Sequence, residues 1–144
     1  MRFALDSSVL VGYFIDSNKV HAPAVRLIDN ILDGTVSYAC VSKITVAETG
    51  YVLERKTNDE NFAYTCMHAL TNDLRLDVLD LTWELTIILS HLKAINPVSF
   101  CDNATITAAK LTNSNALFTK EKEILAREKG KLQGASILFL EELV

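Results

Sequence analysis

The sequence predicts an α/β protein whose strands form a mainly parallel sheet. Five short segments with β-branched or alternating apolar residues are separated by longer segments whose apolar residues recur at helical spacing. Glycine and proline are sparse, at five and two residues, so the connections are expected to be short. Strands that alternate with helices favour a parallel sheet, and functional sites in such sheets form at the carboxyl ends of the strands.

The first half of the chain begins with a short apolar strand that ends at Asp6, and a serine at either of the next two positions can cap the first helix. Gly34 stops the second helix, whose apolar residues recur at helical spacing up to that point. Alternating β-branched residues then predict the second strand, and Ser42 can cap the third helix. The predicted elements are strand 2–5, helices 7–14 and 21–33, strand 35–40, and helices 43–55 and 59–70.

The second half of the chain contains the other three predicted strands. Strict alternation in the segment LDVLDL predicts the third strand, and the segments NALFT and SILFL predict the fourth and fifth. The helix after the third strand ends near Pro97, because proline cannot continue a helix. The predicted elements are strand 76–81, helices 82–94 and 100–113, strand 115–119, helix 120–129 and strand 136–140.

Length and composition favour one globular domain over residues 1–144. The chain is 49% apolar and carries a net charge of −4, which argues against both disorder and a dedicated duplex-DNA binder. Its three cysteines lack metal-ligand spacing and are expected to be free thiols in a reducing compartment. We expect a cytoplasmic protein outside the membrane, because neither an export signal nor an apolar run near the roughly 20 residues that span a bilayer is visible.

Two carboxylates lie at positions where function is suggested: Asp6 at the end of a predicted strand, and Glu48 on the apolar face of a predicted helix. Asp6 follows the first, central strand, where it can cap the next helix or hold a metal ion. Glu48 lies inside the predicted apolar stripe of its helix, which consists of Ile44, Ala47, Tyr51 and Val52. An ionised carboxylate that faces a core is costly unless it is paired or binds a cation. Glu48 is therefore a metal ligand, a member of a buried salt bridge, or the edge of a stripe that reaches solvent.

Two further acids occur near the starts of later helices. Asp102 shares a helix face with apolar residues, and Ser99-x-x-Asp102 can also form a capping box in which the carboxylate returns to the Ser99 amide. Glu121 follows the fourth strand and lies between Lys120 and Lys122, which can partly neutralise it. Acidic residues are favoured in a first helical turn by the helix dipole, so Glu121 alone indicates little about function.

In their order and context, the four acids resemble the PIN-domain family, and most closely the VapC-type ribonuclease toxins of prokaryotic toxin–antitoxin pairs. Residues 5–10 resemble that family's opening strand and first acidic residue. Residues 41–53 and 100–109 resemble the second and third acidic segments, and residues 116–121 resemble the strand and Thr-x-acid segment that close the site. The resemblance covers nearly the whole chain.

The resemblance implies a three-layer α/β/α fold around a mainly parallel five-stranded sheet. It also implies a metal site formed by Asp6, Glu48, Asp102 and Glu121. Carboxylate oxygens without histidine or cysteine neighbours favour Mg²⁺ or Mn²⁺. Ser7 and Thr119 are interpreted either as hydrogen-bonding residues that orient the carboxylates or as caps. The family usually has aspartate at the position of Glu121, so this longer acid is expected to bind metal through water or not at all.

The activity implied by the resemblance is metal-dependent hydrolysis of RNA phosphodiester bonds by an endoribonuclease. The expected setting is the toxin of a toxin–antitoxin pair, a homodimer with RNA as substrate and a cognate antitoxin as partner. Two alternatives stay open: a housekeeping RNA-processing nuclease, and a non-catalytic RNA-binding or assembly module with a decayed site. Without bound metal, the like charges of the acids are expected to repel one another and lower the stability of the protein.

Overall fold

A five-stranded, all-parallel sheet forms the centre of the protein, as the sequence predicted. The computed structural model describes residues 1–143. The strands are β1 (Arg2–Leu5), β2 (Tyr38–Ser42), β3 (Asp77–Leu79), β4 (Asn115–Phe118) and β5 (Ile137–Phe139). Their order across the sheet is β3-β2-β1-β4-β5, so β1 is the central strand. Ala4 of β1 pairs with Cys40 on one side and with Ala116 on the other.

Helices cover both faces of the sheet and give the predicted three-layer α/β/α arrangement. They are α1 (Ser7–Phe14), α2 (His21–Leu32), α3 (Lys43–Thr57), α4 (Glu60–Asn72), α5 (Trp83–Ile95), α6 (Phe100–Thr112) and α7 (Glu123–Glu128). Because successive strand residues point to opposite faces, Phe3 and Leu5 pack with α1 and α2, whereas Ala4 packs with residues of α5 and α6. Within residues 1–143, none of these helices combines the length and apolar character that crossing a bilayer requires.

Strand β2 begins later than the sequence predicts, at Tyr38 instead of residue 35. The three residues before it belong to the turn that leaves α2. In that turn the Thr35 amide donates to the Asp33 carboxylate at 2.8 Å, and the Val36 amide donates to the Asn30 carbonyl at 2.9 Å. Gly34, which was predicted to stop the helix, has a φ of +86°, a conformation that favours glycine. The turn therefore uses amides that a longer strand would need for pairing.

Helix α7 is also shorter than predicted, and residues 120–122 form a turn before it. The Lys120 amide donates to both carboxylate oxygens of Glu141, at 2.9 and 3.1 Å, instead of starting a helix. The Lys120 ammonium also pairs with Glu142 at 3.1 Å. The segment after β4 is thereby tied to the turn that follows β5, and the residues between this anchor and α7 lie beside the carboxyl end of β1.

Candidate functional site

Asp6 is fully buried at the carboxyl end of the central strand. It is the N-cap of α1, and its Oδ2 accepts from the Ser8 amide at 3.0 Å and from the Ser8 hydroxyl at 2.7 Å. Its Oδ1 accepts from the Thr105 hydroxyl of α6 at 3.1 Å. Capping and a role in a site are therefore compatible, because the hydrogen bond from the Ser8 amide holds the Asp6 carboxylate in place.

Asp102 lies in the first turn of α6, close to Asp6. Ser99 is the N-cap, and its hydroxyl accepts from the Asp102 amide at 3.0 Å. The carboxylate of Asp102 does not return to this cap: its Oδ1 accepts from the Lys122 ammonium at 2.9 Å. The predicted capping box is therefore only half formed, and the Asp102 side chain faces the same point as Asp6. We call Asp6 and Asp102 the acid pair.

Lys122 places its ammonium between the two carboxylates of the acid pair. Nζ lies 2.9 Å from Asp102 Oδ1 and 3.5 Å from Asp6 Oδ2, and the side chain is one-quarter exposed. Burial alone would lower the pKa of Lys122, but the charges of Asp6 and Asp102 outweigh it and raise this pKa above its usual range. Lys122 is therefore charged, and its ammonium compensates the two carboxylates, which the expectation of unbalanced repulsion did not take into account.

Glu48 lies on α3 at the edge of the buried face. The predicted stripe is correct only in part: Ile44 and Val52 are partly buried against the core, whereas Ala47 and Tyr51 are exposed. The fully buried residues of α3 are Thr45, Val46, Thr49, Gly50 and Leu53. Glu48 is half-buried, and its Oε1 is buried without a hydrogen-bond partner among residues 1–143. The Cys101 thiol lies near the same carboxylate. Burial is the main cause and the charge of Glu48 the second cause that raise the pKa of Cys101 to about 11. Glu48 thus offers one oxygen that the surrounding residues leave unpaired.

Glu121 is exposed in the turn before α7, and its carboxylate forms no hydrogen bond or ion pair with any residue from 1 to 143. Ser7 is buried but its hydroxyl is likewise without a hydrogen bond in that part of the chain. Thr119 is buried at the end of β4, and its amide donates to the Ser8 hydroxyl at 3.2 Å. Its own hydroxyl has no partner within residues 1–143. The roles predicted for Glu121, Ser7 and the Thr119 hydroxyl stay predictions.

A comparison with known protein families shows which family contains this chain. The model of the PIN domain matches residues 3–130, which is most of the chain. This protein belongs to the PIN-domain family. The match spans all four predicted acids, so the resemblance read from the sequence is confirmed at the level of the family. No curated protein matches the sequence.

Solved structures show the same PIN fold at low sequence identity. The sarcin–ricin loop cleaving toxin VapC20 of Mycobacterium tuberculosis is 18% identical, with a TM-score of 0.66 over 79% of this chain and 86% of that one. VapBC2 from Rickettsia felis, bound to a DNA fragment from its promoter, is 14% identical, with a TM-score of 0.67 over 96% and 98%. DNA-bound VapBC from Salmonella typhimurium is 20% identical, with a TM-score of 0.65 over 97% and 98%.

Three residues of this PIN domain were not predicted as site residues. Ser8 and Thr105 hold the two oxygens of Asp6, and Lys122 joins the acid pair. Thr105 lies three positions after Asp102, so both side chains share one face of α6, and this spacing could have found it. From the sequence, Lys122 was expected to neutralise Glu121 or to contact RNA phosphates. Its actual partners depend on how the turn after β4 is placed against β1 and α6.

The site itself shows which residues can hold the Mg²⁺ or Mn²⁺ that the PIN resemblance implies. The acid pair already converges on a cation, and Glu48 adds a buried oxygen without a partner. All these donors are carboxylate oxygens, which hard cations prefer. For residues 1–143, no three His, Cys, Asp or Glu side chains have the spacing of a preformed metal site. Asp6, Asp102 and Glu48 therefore have suitable chemistry, whereas the exposed Glu121 carboxylate makes no contact with any of them.

Proposed function

We propose that this PIN domain is a cytoplasmic, metal-dependent endoribonuclease that hydrolyses RNA phosphodiester bonds. One observation carries the proposal: two buried aspartates from separate elements converge on a single cation position at the end of the central strand. Buried carboxylates are costly unless a cation compensates them, and a parallel sheet forms its sites at this end. The unpaired Glu48 oxygen beside them supports the same interpretation.

Different residues of the chain bind the metal and orient its ligands in such a reaction. When bound, Mg²⁺ or Mn²⁺ lowers the pKa of a coordinated water and neutralises charge on the phosphodiester. Asp6 and Asp102 would hold the cation, and Ser8 and Thr105 fix the orientation of Asp6 through its two oxygens. Glu48 Oε1, which is buried and has no hydrogen-bond partner among residues 1–143, would add a third carboxylate oxygen for the cation.

Cleavage that depends on a divalent cation is the first test of this proposal. We expect the purified protein to cut single-stranded RNA with Mg²⁺ or Mn²⁺ and to lose this activity in EDTA. Labelled RNA resolved on a denaturing gel measures both conditions, and a protein carrying Asp6→Asn controls for contaminating nucleases. Cutting that persists in EDTA, or none with any divalent cation, would refute the proposal.

We further propose that the nuclease is the toxin of a toxin–antitoxin pair, works as a homodimer and binds a cognate antitoxin. Support comes from structural neighbours that are VapC toxins or VapBC complexes. Large exposed apolar side chains, led by Trp83 at 77% exposure, supply surface for protein contacts. A strict monomer in light scattering would contradict the dimer. Purification from the native host without any bound partner would contradict the antitoxin.

A decayed PIN module that binds RNA without cutting it is the second candidate function. The observation that favours it is the position of Lys122, which already supplies the acid pair with a cation. Mn²⁺ binding separates the two functions, because a site that has lost its metal chemistry does not bind Mn²⁺. A housekeeping RNA-processing nuclease shares the chemistry of the toxin and differs from it in having no antitoxin.

Glu121 is expected to matter less than the acid pair. Its exposed carboxylate is longer than the aspartate usual in the family and forms no hydrogen bond or ion pair with the acid pair, so we expect it to contact a metal through water. Glu121→Gln should weaken cleavage and Mn²⁺ affinity by a modest factor, within the ~10–100-fold that is typical of outer ligand contacts. Initial cleavage rates and Mn²⁺ titrations measure both effects, with Glu54→Gln, an exposed acid on α3, as the control. Wild-type behaviour of Glu121→Gln would mean that the fourth acid lies elsewhere.

A further inference from the structure

Lys122 and Lys120 are separated by one residue in the turn after β4, but their side chains have different surroundings. The Lys120 ammonium is half-exposed and pairs with Glu142, which is also well exposed. The Lys122 ammonium instead reaches inward to Asp6 and Asp102, whose side chains are 0% and 9% exposed. Only Lys122 therefore contacts the residues that are proposed to hold the metal, and Lys120 provides a natural comparison.

The two oxygens of the acid pair that face Lys122, Asp6 Oδ2 and Asp102 Oδ1, have little capacity for a second cation while Lys122 is present. Asp6 Oδ2 accepts from the Ser8 amide and hydroxyl and also faces Lys122, and Asp102 Oδ1 accepts from Lys122 at 2.9 Å. An ammonium and a divalent cation bound to the same two oxygens would repel each other at short range in a poorly solvated site. Occupation by one of them therefore opposes occupation by the other.

The lysine has a path out of the site that leaves the fold unchanged. Its side chain is one-quarter exposed, and the residues on either side of it in the turn are exposed. Rotation about the bonds of the long side chain can carry the ammonium into water while the backbone of the turn stays in place. Departure then costs the ion pairs with Asp6 and Asp102, which a divalent cation replaces.

From this geometry we propose that Lys122 is an internal cation that occupies the metal position of the unloaded site and is displaced when the divalent cation binds. The inference rests on the proposed function, because it assumes that Asp6 and Asp102 are the metal ligands. Lys122 is a positioning residue in this scheme: it keeps the two buried carboxylates facing one point until the metal replaces it. It also lowers the affinity for metal, since binding must first break its contacts.

The main experiment measures Mn²⁺ binding without any RNA. Isothermal titration of MnCl₂ into the metal-free full chain compares the wild type with Lys122→Met and Lys120→Met. We expect Lys122→Met to bind Mn²⁺ ~10-fold more tightly, a change of about the size of one charge-assisted hydrogen bond. Lys120→Met removes the same charge from an exposed position and should change the affinity by no more than ~2-fold, because surface charges are screened.

A second measurement uses the wild type and so does not depend on the folding of a variant. Reductive methylation with formaldehyde and a borane, followed by peptide mass spectrometry, reports how accessible each lysine is. Saturating Mg²⁺ should increase the methylation of Lys122 several-fold and leave that of Lys120 unchanged. Equal methylation of Lys122 with and without Mg²⁺ overturns the inference, whatever the behaviour of the variants.

The outcomes also separate this inference from the proposed function. Tighter Mn²⁺ binding by Lys122→Met together with no RNA cleavage by the wild type supports the displacement and refutes the nuclease. Cation-dependent cleavage together with equal or weaker Mn²⁺ binding by folded Lys122→Met refutes the displacement and supports the nuclease. If neither protein binds Mn²⁺, both are refuted, because removal of the competing ammonium should reveal the site.

Discussion

Replacing Asp6 with asparagine is expected to abolish RNA cleavage and to destabilise the protein in EDTA. Asparagine caps a helix as well as aspartate does, so the contact with the Ser8 amide can persist. It carries no charge, however, and Lys122 would keep only Asp102 as a close partner. We expect a loss of ~1–3 kcal/mol in the free energy of unfolding without metal. Cleavage should fall by at least ~10³-fold, since a metal contributes several kcal/mol to such reactions.

Urea unfolding in EDTA and a cleavage assay with Mg²⁺ measure the two effects on the same preparation. Asp29→Asn is the matched control, because it makes the same chemical change on the exposed side of α2. An unchanged or higher stability of Asp6→Asn in EDTA would mean that the Lys122 contact contributes nothing. Cleavage near the wild-type rate would remove Asp6 from the site.

Replacing Glu48 with glutamine is expected to abolish cleavage without destabilising the metal-free protein. Oε1 of Glu48 is buried and lacks a hydrogen-bond partner among residues 1–143, and Lys122 interacts with this carboxylate more weakly than with Asp6 and Asp102. A neutral amide of the same shape is less costly to bury than a carboxylate. The free energy of unfolding in EDTA should therefore stay equal or rise, whereas cleavage should fall by ~10²-fold or more as a charged ligand is lost.

Glu54→Gln tests whether the change of charge on α3 is itself responsible, because Glu54 lies on the same helix and is exposed. Thermal melts in EDTA and initial cleavage rates with Mn²⁺ compare the two variants. A marked loss of stability in Glu48→Gln would show that the carboxylate has a stabilising partner. Together with Asp6→Asn, the variant distinguishes an acid that Lys122 contacts directly from one whose charge it meets more weakly.

The sequence predicted the strands, the helices and the order of the acids because these depend on local periodicity and on short motifs. It failed in part on the buried face of α3, where Tyr51 is exposed and Gly50 faces the core. Gly50 is buried because α4 packs closely there: a Cβ added to it would lie 2.2 Å from the Met67 sulfur. Apolar periodicity cannot detect a face built from glycine and threonine, since such faces depend on close approach of backbones.

The residues around Asp6 show a second limit of sequence reasoning. Its partners come from positions 8, 105 and 122, and only the first is local. A lysine in a run of alternating charges normally indicates a solvated surface. That Lys122 instead reaches the acid pair follows from the turn after β4, whose anchor at Glu141 is distant in sequence.

The anchoring of Lys120 by Glu141 also has a kinetic consequence. The Lys120 amide forms two hydrogen bonds with the Glu141 carboxylate, and helix α7 begins at residue 123. Only a very short backbone segment therefore lies between two fixed points. Exchange of Lys122 for a cation should then proceed by rotation of its side chain once its ion pairs break, and not by slower opening of the loop. The rate at which metal enters the site should accordingly be insensitive to substitutions that loosen the turn, such as Glu141→Gln.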